Sequence, residues 1–169
     1  TLFPYTTLFQ SRDESNVSEP AFKLINTLQG NGAISPYTFG YLQTEPLFLT
    51  KSGIYAITAQ DITGEKYGQS RSFYLNGQML KEDNISNACA VVYNDQYILA
   101  INSHLYVLDG LQATRTDKSE PYATRQYVGY YCTNIPANVM WTYNDSLWFG
   151  TNDGRVCKFA TDVESLDSY

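Results

Sequence analysis

The sequence has few charged residues and few of the residue types that usually carry out catalysis. Only 17% of its 169 residues are Asp, Glu, Lys or Arg, it contains one histidine, and its formal net charge is -6. Affinity for nucleic acids comes largely from Lys and Arg side chains that displace counterions from phosphates, and the chain has no basic run. We therefore expect no nucleic-acid partner.

Cysteine is also scarce, and its spacing excludes the common metal and redox motifs. Cys89, Cys132 and Cys157 are far apart and form no CxxC pair. An isolated cysteine in a strand usually behaves as a small apolar residue. We therefore predict buried free thiols, with no metal site and no cofactor.

Long hydrophobic runs are missing as well. A membrane-spanning helix needs about 20 consecutive apolar residues, and no stretch of the chain approaches that length. A secretion signal has a basic segment followed by an apolar one, and no such pattern is recognisable in the sequence. These features predict no membrane partner, and the lack of an initiator Met suggests a fragment.

Aromatic residues, in contrast, are abundant: they make up 15% of the chain, and most of them are tyrosines. Such rings suit half-buried pleated surfaces, because the ring covers apolar neighbours while its polar tip remains in contact with water. A chain of this length is also sufficient for one domain with a hydrophobic core. The composition therefore favours β-structure.

A pattern that recurs every fifty residues organises most of the chain. The triplet Tyr-Asn-Asp at residues 143–145 repeats the triplet at residues 93–95. A second shift by fifty places Leu147 and Tyr97 on Leu47. Self-similarity at this period is typical of repeat folds such as β-propellers.

Each repeat is predicted to contain four short antiparallel strands. The first strands are predicted at residues 38–42, 88–93 and 139–143, and hairpins follow at residues 47–58, 97–108 and 147–159. Fourth strands are predicted at residues 70–74 and 124–128, and the third repeat lacks one. Residues that tolerate positive φ, such as Gly53, Asn102 and Gly154, occupy the hairpin turns.

We therefore predict an all-β fold of β-propeller-type repeats, with four-stranded antiparallel blades in a partial propeller. The three blades are assigned to residues 33–83, 84–133 and 134–160, the last of them incomplete. One blade cannot bury both of its faces alone, so neighbouring blades must stack. A β-sandwich is the alternative fold.

The segments on either side of the repeats differ from them. Residues 1–11 resemble the translation of a widely used sequencing-adapter oligonucleotide, and we interpret them as an artefact of that origin, with an edge strand as the alternative. Residues 12–32 are predicted to be a linker or the end of a preceding blade, and residues 21–28 fit a short helix or a strand equally well. The acidic residues 161–169 are predicted to form a frayed tail.

Several short runs resemble a known family. Residues 131–137 (YCTNIPA), 147–151 (LWFGT) and 106–110 (YVLDG) resemble segments of propeller-like structural proteins of tailed bacteriophages, which carry WD40- or YVTN-like repeats. The resemblance covers residues 24–159. It implies a virion location, other virion proteins as partners in a symmetric assembly, and no catalytic residue.

No catalytic arrangement is recognisable among the polar residues. His104 lies in a predicted turn without partners at a triad or metal-site spacing, so we predict an exposed turn residue. The segment Asn152-Asp153-Gly154 is predicted to be a hairpin turn and not the Asp-box of sialidases. Arg71 and Arg125 begin equivalent predicted strands, where pairing with a carboxylate or carbonyl of a neighbouring blade is favoured over anion binding.

Three aromatic residues are the candidates for a functional site. Tyr130 and Tyr131 are adjacent, so their side chains point to opposite faces of a strand, and at least one should be exposed or in an interface. Together with Trp148, they are candidates for a protein interface or for stacking on a ligand such as a glycan. Burial of these rings between blades is the alternative.

The favoured function is that of a non-enzymatic structural component of a bacteriophage virion, associated with the tail and acting in assembly or protein–protein interaction. A carbohydrate- or receptor-binding propeller module is one alternative. The other is a fragment of a propeller enzyme whose catalytic blades are missing.

Overall fold

The structure, a computed structural model, describes residues 9–13, 21–26, 32–59, 66–113 and 126–159. Within these ranges most residues lie in antiparallel strands, and the only α-helix is α1 (Asn76–Met79). The predicted all-β class is confirmed.

A two-stranded antiparallel ribbon comes first in the chain. It consists of β1 (Phe9–Asp13) and β2 (Ala21–Asn26). Of the two alternatives for residues 21–28, the strand is therefore confirmed for the part that the structure describes. The adapter-like segment contributes residues 9–11 to β1, while residues 1–8 and the predicted tail at residues 161–169 lie outside the described ranges.

Three larger antiparallel sheets follow, and in each of them consecutive strands pair with one another. The first sheet contains β3 (Gly40–Leu42), β4 (Glu45–Thr50), β5 (Gly53–Ala59) and β6 (Lys66–Ser70). The second sheet contains β7 (Cys89–Tyr93), β8 (Gln96–Ile101), β9 (His104–Ala113) and β10 (Tyr127–Cys132). The third sheet contains β11 (Val139–Tyr143), β12 (Ser146–Gly150) and β13 (Val156–Lys158).

The turns between the first two strands of the second and third sheets share one backbone conformation. Asn94, Asp95, Asn144 and Asp145 have φ angles of 47°, 55°, 46° and 50°. Two consecutive positive φ angles are the mark of the type I′ turn, whose twist suits a hairpin and which Asn and Asp tolerate. The fifty-residue offset between these two sheets is therefore confirmed.

The first sheet is offset from the second by 51 positions. Its first turn occupies residues 43–44 where the second sheet has residues 94–95, so equivalent residues differ by 94 − 43 = 51. Leu47 is thus equivalent to Ile98, and its predicted equivalence to Tyr97 is wrong. Because successive side chains in a strand point to opposite faces, Leu47 and the residue equivalent to Tyr97 lie on opposite faces of the first sheet.

The fourth strands also begin elsewhere than predicted. β6 ends at Ser70, where a strand was expected to begin, and β10 begins at Tyr127 instead of residue 124. Phe73 and Tyr74 favoured a strand because aromatic residues are common in sheets. They lie instead in a turn, with 67% and 64% of their surface exposed.

The hydrophobic core lies on both sides of the second sheet. One cluster joins it to the first sheet and includes Leu47, Leu49, Ile54, Tyr97, Leu99 and Leu108. The other cluster joins it to the third sheet and includes Ile98, Ala100, Leu105, Val107, Met140 and Leu147. The first strands of the three sheets, β3, β7 and β11, lie next to one another. Gly40 permits this close approach, since a Cβ there would lie only 3.0 Å from Val92 Cγ2.

A buried ion pair within the first unit is linked to the second sheet by the hydroxyl of Tyr127. The guanidinium of Arg71 donates to both carboxylate oxygens of Glu45, at 2.8 Å and 3.1 Å, and the Tyr127 hydroxyl donates to the same carboxylate at 2.7 Å. The Arg71 and Glu45 side chains are 0% and 5% exposed. The predicted pairing of Arg71 with a carboxylate is confirmed. Its partner Glu45, however, belongs to the same unit as Arg71 and not to a neighbouring blade. Arg125 lies outside the described residues.

Candidate functional site

The three aromatic residues that are candidates for an interface or for ligand stacking lie on two different sheets. Tyr130 and Tyr131 are on β10, at the edge of the second sheet, and are 42% and 40% exposed. Trp148 is half-buried on β12 of the third sheet. The expectation that at least one of the adjacent tyrosines is exposed is confirmed, since both are.

Tyr131 belongs to a group of polar and aromatic side chains that we call the Glu82 cluster: Glu82, Asn102, His104, Tyr106 and Tyr131. Glu82 lies on the connection between β6 and β7, Asn102 lies in the turn between β8 and β9, and His104 is the first residue of β9. His104 and Tyr106 alternate along β9 and so share one face of the sheet. Tyr131 on β10 is the cross-strand partner of Tyr106.

The carboxylate of Glu82 is the centre of this cluster. Its Oε1 atom lies 2.6 Å from His104 Nδ1 and accepts a hydrogen bond of 2.6 Å from the Tyr106 hydroxyl. Its Oε2 atom accepts a hydrogen bond of 3.1 Å from the Asn102 amide. The Glu82 side chain is only 10% exposed. A carboxylate this far from water needs such partners, because burial of an unpaired charge is costly.

The ionisation of Glu82 fixes the tautomer of His104. Burial raises the pKa of Glu82, but the hydrogen bonds from Tyr106, Asn102 and His104 outweigh it, so the pKa lies below its ordinary value. An ionised carboxylate only accepts hydrogen bonds, so Nδ1 of His104 must carry the shared proton. In the neutral imidazole this leaves Nε2 as an acceptor.

The phenol of Tyr106 acts only as a donor here. Burial raises the pKa of the Tyr106 hydroxyl, and the hydrogen bond to Glu82 raises that pKa further. The ring of Tyr131 lies 5.2 Å from that of Tyr106 and 5.4 Å from that of His104, measured between centroids. These two neighbours therefore support one side of the exposed Tyr131 ring.

The prediction that His104 is an exposed turn residue without partners is wrong. His104 is the first residue of β9, its side chain is 32% exposed, and Glu82 binds its Nδ1 atom. The partner lies 22 positions earlier in the chain, on a connection with no periodic pattern. No local signal in the sequence indicates that these two residues meet.

The Glu82 cluster is not part of the repeating structure. In the register of the hairpins, the residue equivalent to His104 is Gly53 in the first sheet and Arg155 in the third. A feature that the repeat needed for stacking would recur in each unit. The Glu82 cluster therefore distinguishes the second unit from its neighbours.

A small polar groove lies on the other side of the β8–β9 turn, between the second and third sheets. It has a volume of about 100 Å³, and the residues that line it include Asn87, Asn102, Asn138 and Asn152. Asn102 is shared with the Glu82 cluster. The groove is therefore a second polar feature at the same end of the second sheet.

The outer face of the third sheet is apolar, and no other sheet in the described part of the chain covers it. It carries the residues that we call the Trp face: Val139, Trp141, Tyr143, Trp148, Val156 and Lys158. Val139, Tyr143 and Val156 are 50%, 63% and 63% exposed. The Trp148 indole donates to the Tyr143 carbonyl at 3.3 Å, and the Lys158 ammonium lies 5.9 Å from the Trp148 ring. Both tryptophans of the sequence lie on this face.

Positions equivalent to the Trp face are covered in the second sheet. The hairpin register makes Val91 and Ile98 equivalent to Trp141 and Trp148. Val91 and Ile98 pack against the third sheet. The Trp face is therefore the position at which a further sheet would pack if the stacking of the first three sheets continued.

The opposite end of the stack also presents exposed aromatic residues. Tyr37, Phe39 and Tyr41, next to or within β3, are 75%, 46% and 55% exposed. The equivalent residues of the second sheet, 51 positions later, are Ala88, Ala90 and Val92, which pack against the first sheet. Both ends of the three-sheet stack thus expose positions that are covered in its middle.

The cysteines and the metal-binding residue types add no site. All three cysteines are free, but only Cys89 is buried, while Cys132 is exposed and Cys157 is partly buried. Burial raises the pKa of Cys89 to about 11.

In the part of the chain that the structure describes, no three His, Cys, Asp or Glu side chains are grouped so that they could hold a metal ion. No helix in those same ranges has the length and apolar character needed to span a bilayer.

No protein-family model matches the chain, and no curated protein matches it significantly. The resemblance of residues 131–137 and 147–151 to phage tail proteins therefore stays a prediction.

Proposed function

We propose that this chain is part of a β-propeller-type protein that acts without catalysis as a tail-associated structural component of a bacteriophage virion. The observation that carries the proposal is the Trp face, an apolar surface at a position where the two preceding sheets are each covered by the next one. Such a surface is typical of a site of assembly, because monomeric proteins rarely leave contiguous apolar patches exposed.

The stacking of the sheets supports a propeller-type arrangement over the alternative β-sandwich. A sandwich has two packed sheets, whereas here three sheets stack in chain order and the middle one is covered on both faces. The first strands of successive sheets also lie next to one another, as they do around the axis of a propeller. We infer that the occupant of the Trp face is a further antiparallel sheet of the same repeat.

The composition of the Trp face suits close packing against that further sheet. Tryptophan and tyrosine are enriched at the centres of protein interfaces because they bury a large apolar area. The resemblance to phage tail proteins supplies the proposed context, a virion in which other structural proteins are the partners.

The test is to recover the complete open reading frame and its neighbours from the source DNA. The proposal expects further units of this repeat in the same frame, and genes for portal, tape-measure and other tail proteins nearby. A complete frame without further units would contradict the propeller, and a neighbourhood of metabolic genes would contradict the virion role.

Fluorescence tests the Trp face directly, because the only tryptophans are on it. Acrylamide should quench the emission of Trp141 and Trp148 in the present chain. In the longer protein the emission should shift to shorter wavelength and resist quenching. Equal quenching in the two proteins would show that no further sheet covers this face.

A further inference from the structure

The Glu82 cluster has features that stacking of the repeats does not explain. Its carboxylate is nearly buried, its histidine is the only one in the chain, and neither neighbouring unit has a histidine at this position. Departures from a regular pattern that require burial of a charge are expected at functional sites. The exposed Tyr131 ring makes the cluster accessible from solvent.

With His104 neutral, two of the polar atoms that this cluster leaves available are acceptors. Glu82 binds Nδ1 of His104, so Nε2 is the unoccupied nitrogen of the ring. The Asn102 amide nitrogen already donates to Glu82 and to the carbonyl of Asp83, which leaves its side-chain oxygen as the available atom. A ligand that bridges these two atoms must therefore donate hydrogen bonds, as hydroxyl groups do.

The aromatic part of the cluster selects a flat or gently puckered apolar surface. The Tyr131 ring is 40% exposed, and contacts with the rings of His104 and Tyr106 hold it in place. Rigid aromatic surfaces of this kind contribute contact area at a low cost in conformational entropy. A pyranose ring presents C–H groups on one face and hydroxyl donors at its edge, so it fits both parts of the cluster.

The charge of the surroundings disfavours an acidic sugar. The ionised carboxylate of Glu82 lies directly behind the imidazole, and the chain has a net charge of -6. An anionic ligand would meet unfavourable electrostatics on approach. We propose that the Glu82 cluster binds a neutral saccharide, which stacks on Tyr131 and donates hydroxyl hydrogen bonds to Nε2 of His104 and to the side-chain oxygen of Asn102.

The single histidine makes nuclear magnetic resonance the sharpest test. The imidazole signals of a protein labelled with ¹⁵N can belong only to His104. The probes are N-acetylglucosamine, galactose, chitotriose and maltotriose, with glucuronate and tetramethylammonium as charged comparators. At least one neutral saccharide should shift the Hε1 and Nε2 signals with a dissociation constant in the millimolar range or tighter.

Two variants of exposed tyrosines provide a matched comparison. Tyr131→Ala removes the stacking surface and should weaken saccharide binding at least tenfold. Tyr74→Ala removes an exposed tyrosine from the turn that follows β6 and should leave the affinity unchanged. No shift with any neutral saccharide, a response to tetramethylammonium alone, or equal affinity of Tyr131→Ala and the unchanged protein would overturn the proposal.

The role of His104 as acceptor is tested by Glu82→Gln. Loss of the carboxylate should move the proton from Nδ1 towards Nε2, which the ¹⁵N shifts of the imidazole report, and should weaken saccharide binding. An unchanged tautomer and unchanged affinity would refute this part of the proposal. None of these measurements depends on the Trp face, so they succeed or fail independently of the proposed virion role.

Discussion

The buried contact between Arg71 and Glu45 gives the most decisive prediction about stability. Glu45→Gln keeps the shape of the side chain and removes its charge, which leaves the guanidinium of Arg71 buried beside a neutral amide. Arg71 is 0% exposed, so water cannot replace the lost carboxylate. Removal of one member of a buried ion pair typically costs about 3–5 kcal/mol. Since whole domains are stable by about 5–15 kcal/mol, this variant should be strongly destabilised.

Tyr127→Phe is a milder change to the same contact. It removes only the hydroxyl that donates to Glu45 at 2.7 Å, while the ring remains in the core between the first two sheets. A hydrogen bond to a charged group contributes about 1.5–3 kcal/mol. This variant should fold and should be measurably less stable, even if Glu45→Gln does not fold.

Urea denaturation, followed by circular dichroism, measures both variants. With a slope of about 1–3 kcal/mol per molar urea, Tyr127→Phe should lower the midpoint by about 1 M. Tyr93→Phe is the control, because its hydroxyl donates to the carbonyl of Asp145 at an exposed position, and it should change the midpoint much less. Midpoints for Glu45→Gln and Tyr127→Phe that equal the unchanged protein would show that this contact does not hold the sheets together.

Two further predictions concern titration and reactivity. The lowered pKa of Glu82 means that its stabilising effect is complete above the ordinary value of 4.5 and is lost as the pH falls through the lowered pKa. Stability measured by urea denaturation should therefore fall less steeply in Glu82→Gln than in the unchanged protein between roughly pH 5 and pH 3, where carboxyl groups titrate. For the thiols, the exposed Cys132 should react rapidly with a disulfide reagent near neutral pH, whereas Cys89, which is buried and has its pKa raised to about 11, should react only on unfolding. Peptide mapping that finds both labelled equally fast in the folded protein would contradict this assignment.

The turns and first strands could be predicted from the sequence because local chemistry determines them. At residues 94–95 and 144–145 the pair Asn-Asp favours two consecutive positive φ angles, which set the position of each hairpin. The first sheet has Gln43 in the equivalent turn, with a φ of 56°. Glutamine carries no such turn preference, so nothing in the sequence reveals that the offset there is 51 and not 50.

The Glu82 cluster could not be predicted, because its contacts connect distant segments. Glu82 lies on an irregular connection, and its position depends on how that connection crosses the end of the second sheet. Tyr131 is a candidate because it is adjacent to Tyr130 in a strand, so that one of the two rings should be exposed. That argument does not predict a contact between Tyr131 and His104. Arg71 illustrates the same limit, since its charge indicates a partner but only the fold identifies that partner as Glu45.

The size of the tryptophans places a condition on the sheet that would cover them. Trp141 and Trp148 occupy positions where the second sheet has the smaller Val91 and Ile98. Protein interiors are closely packed, so large side chains on one face require small ones opposite. The first strand of a covering unit should therefore carry small residues.

The second sheet shows such a strand, since Ala88 and Ala90 face the first sheet. The equivalent residues at the exposed end of the first sheet are Tyr37 and Phe39, which are large. A second copy of this chain would thus place large rings against the Trp face, and we expect no head-to-tail association of the chain in sedimentation experiments. Association that is abolished by Trp148→Lys, but not by the same change at the exposed Leu111, would show instead that copies of the chain cover one another.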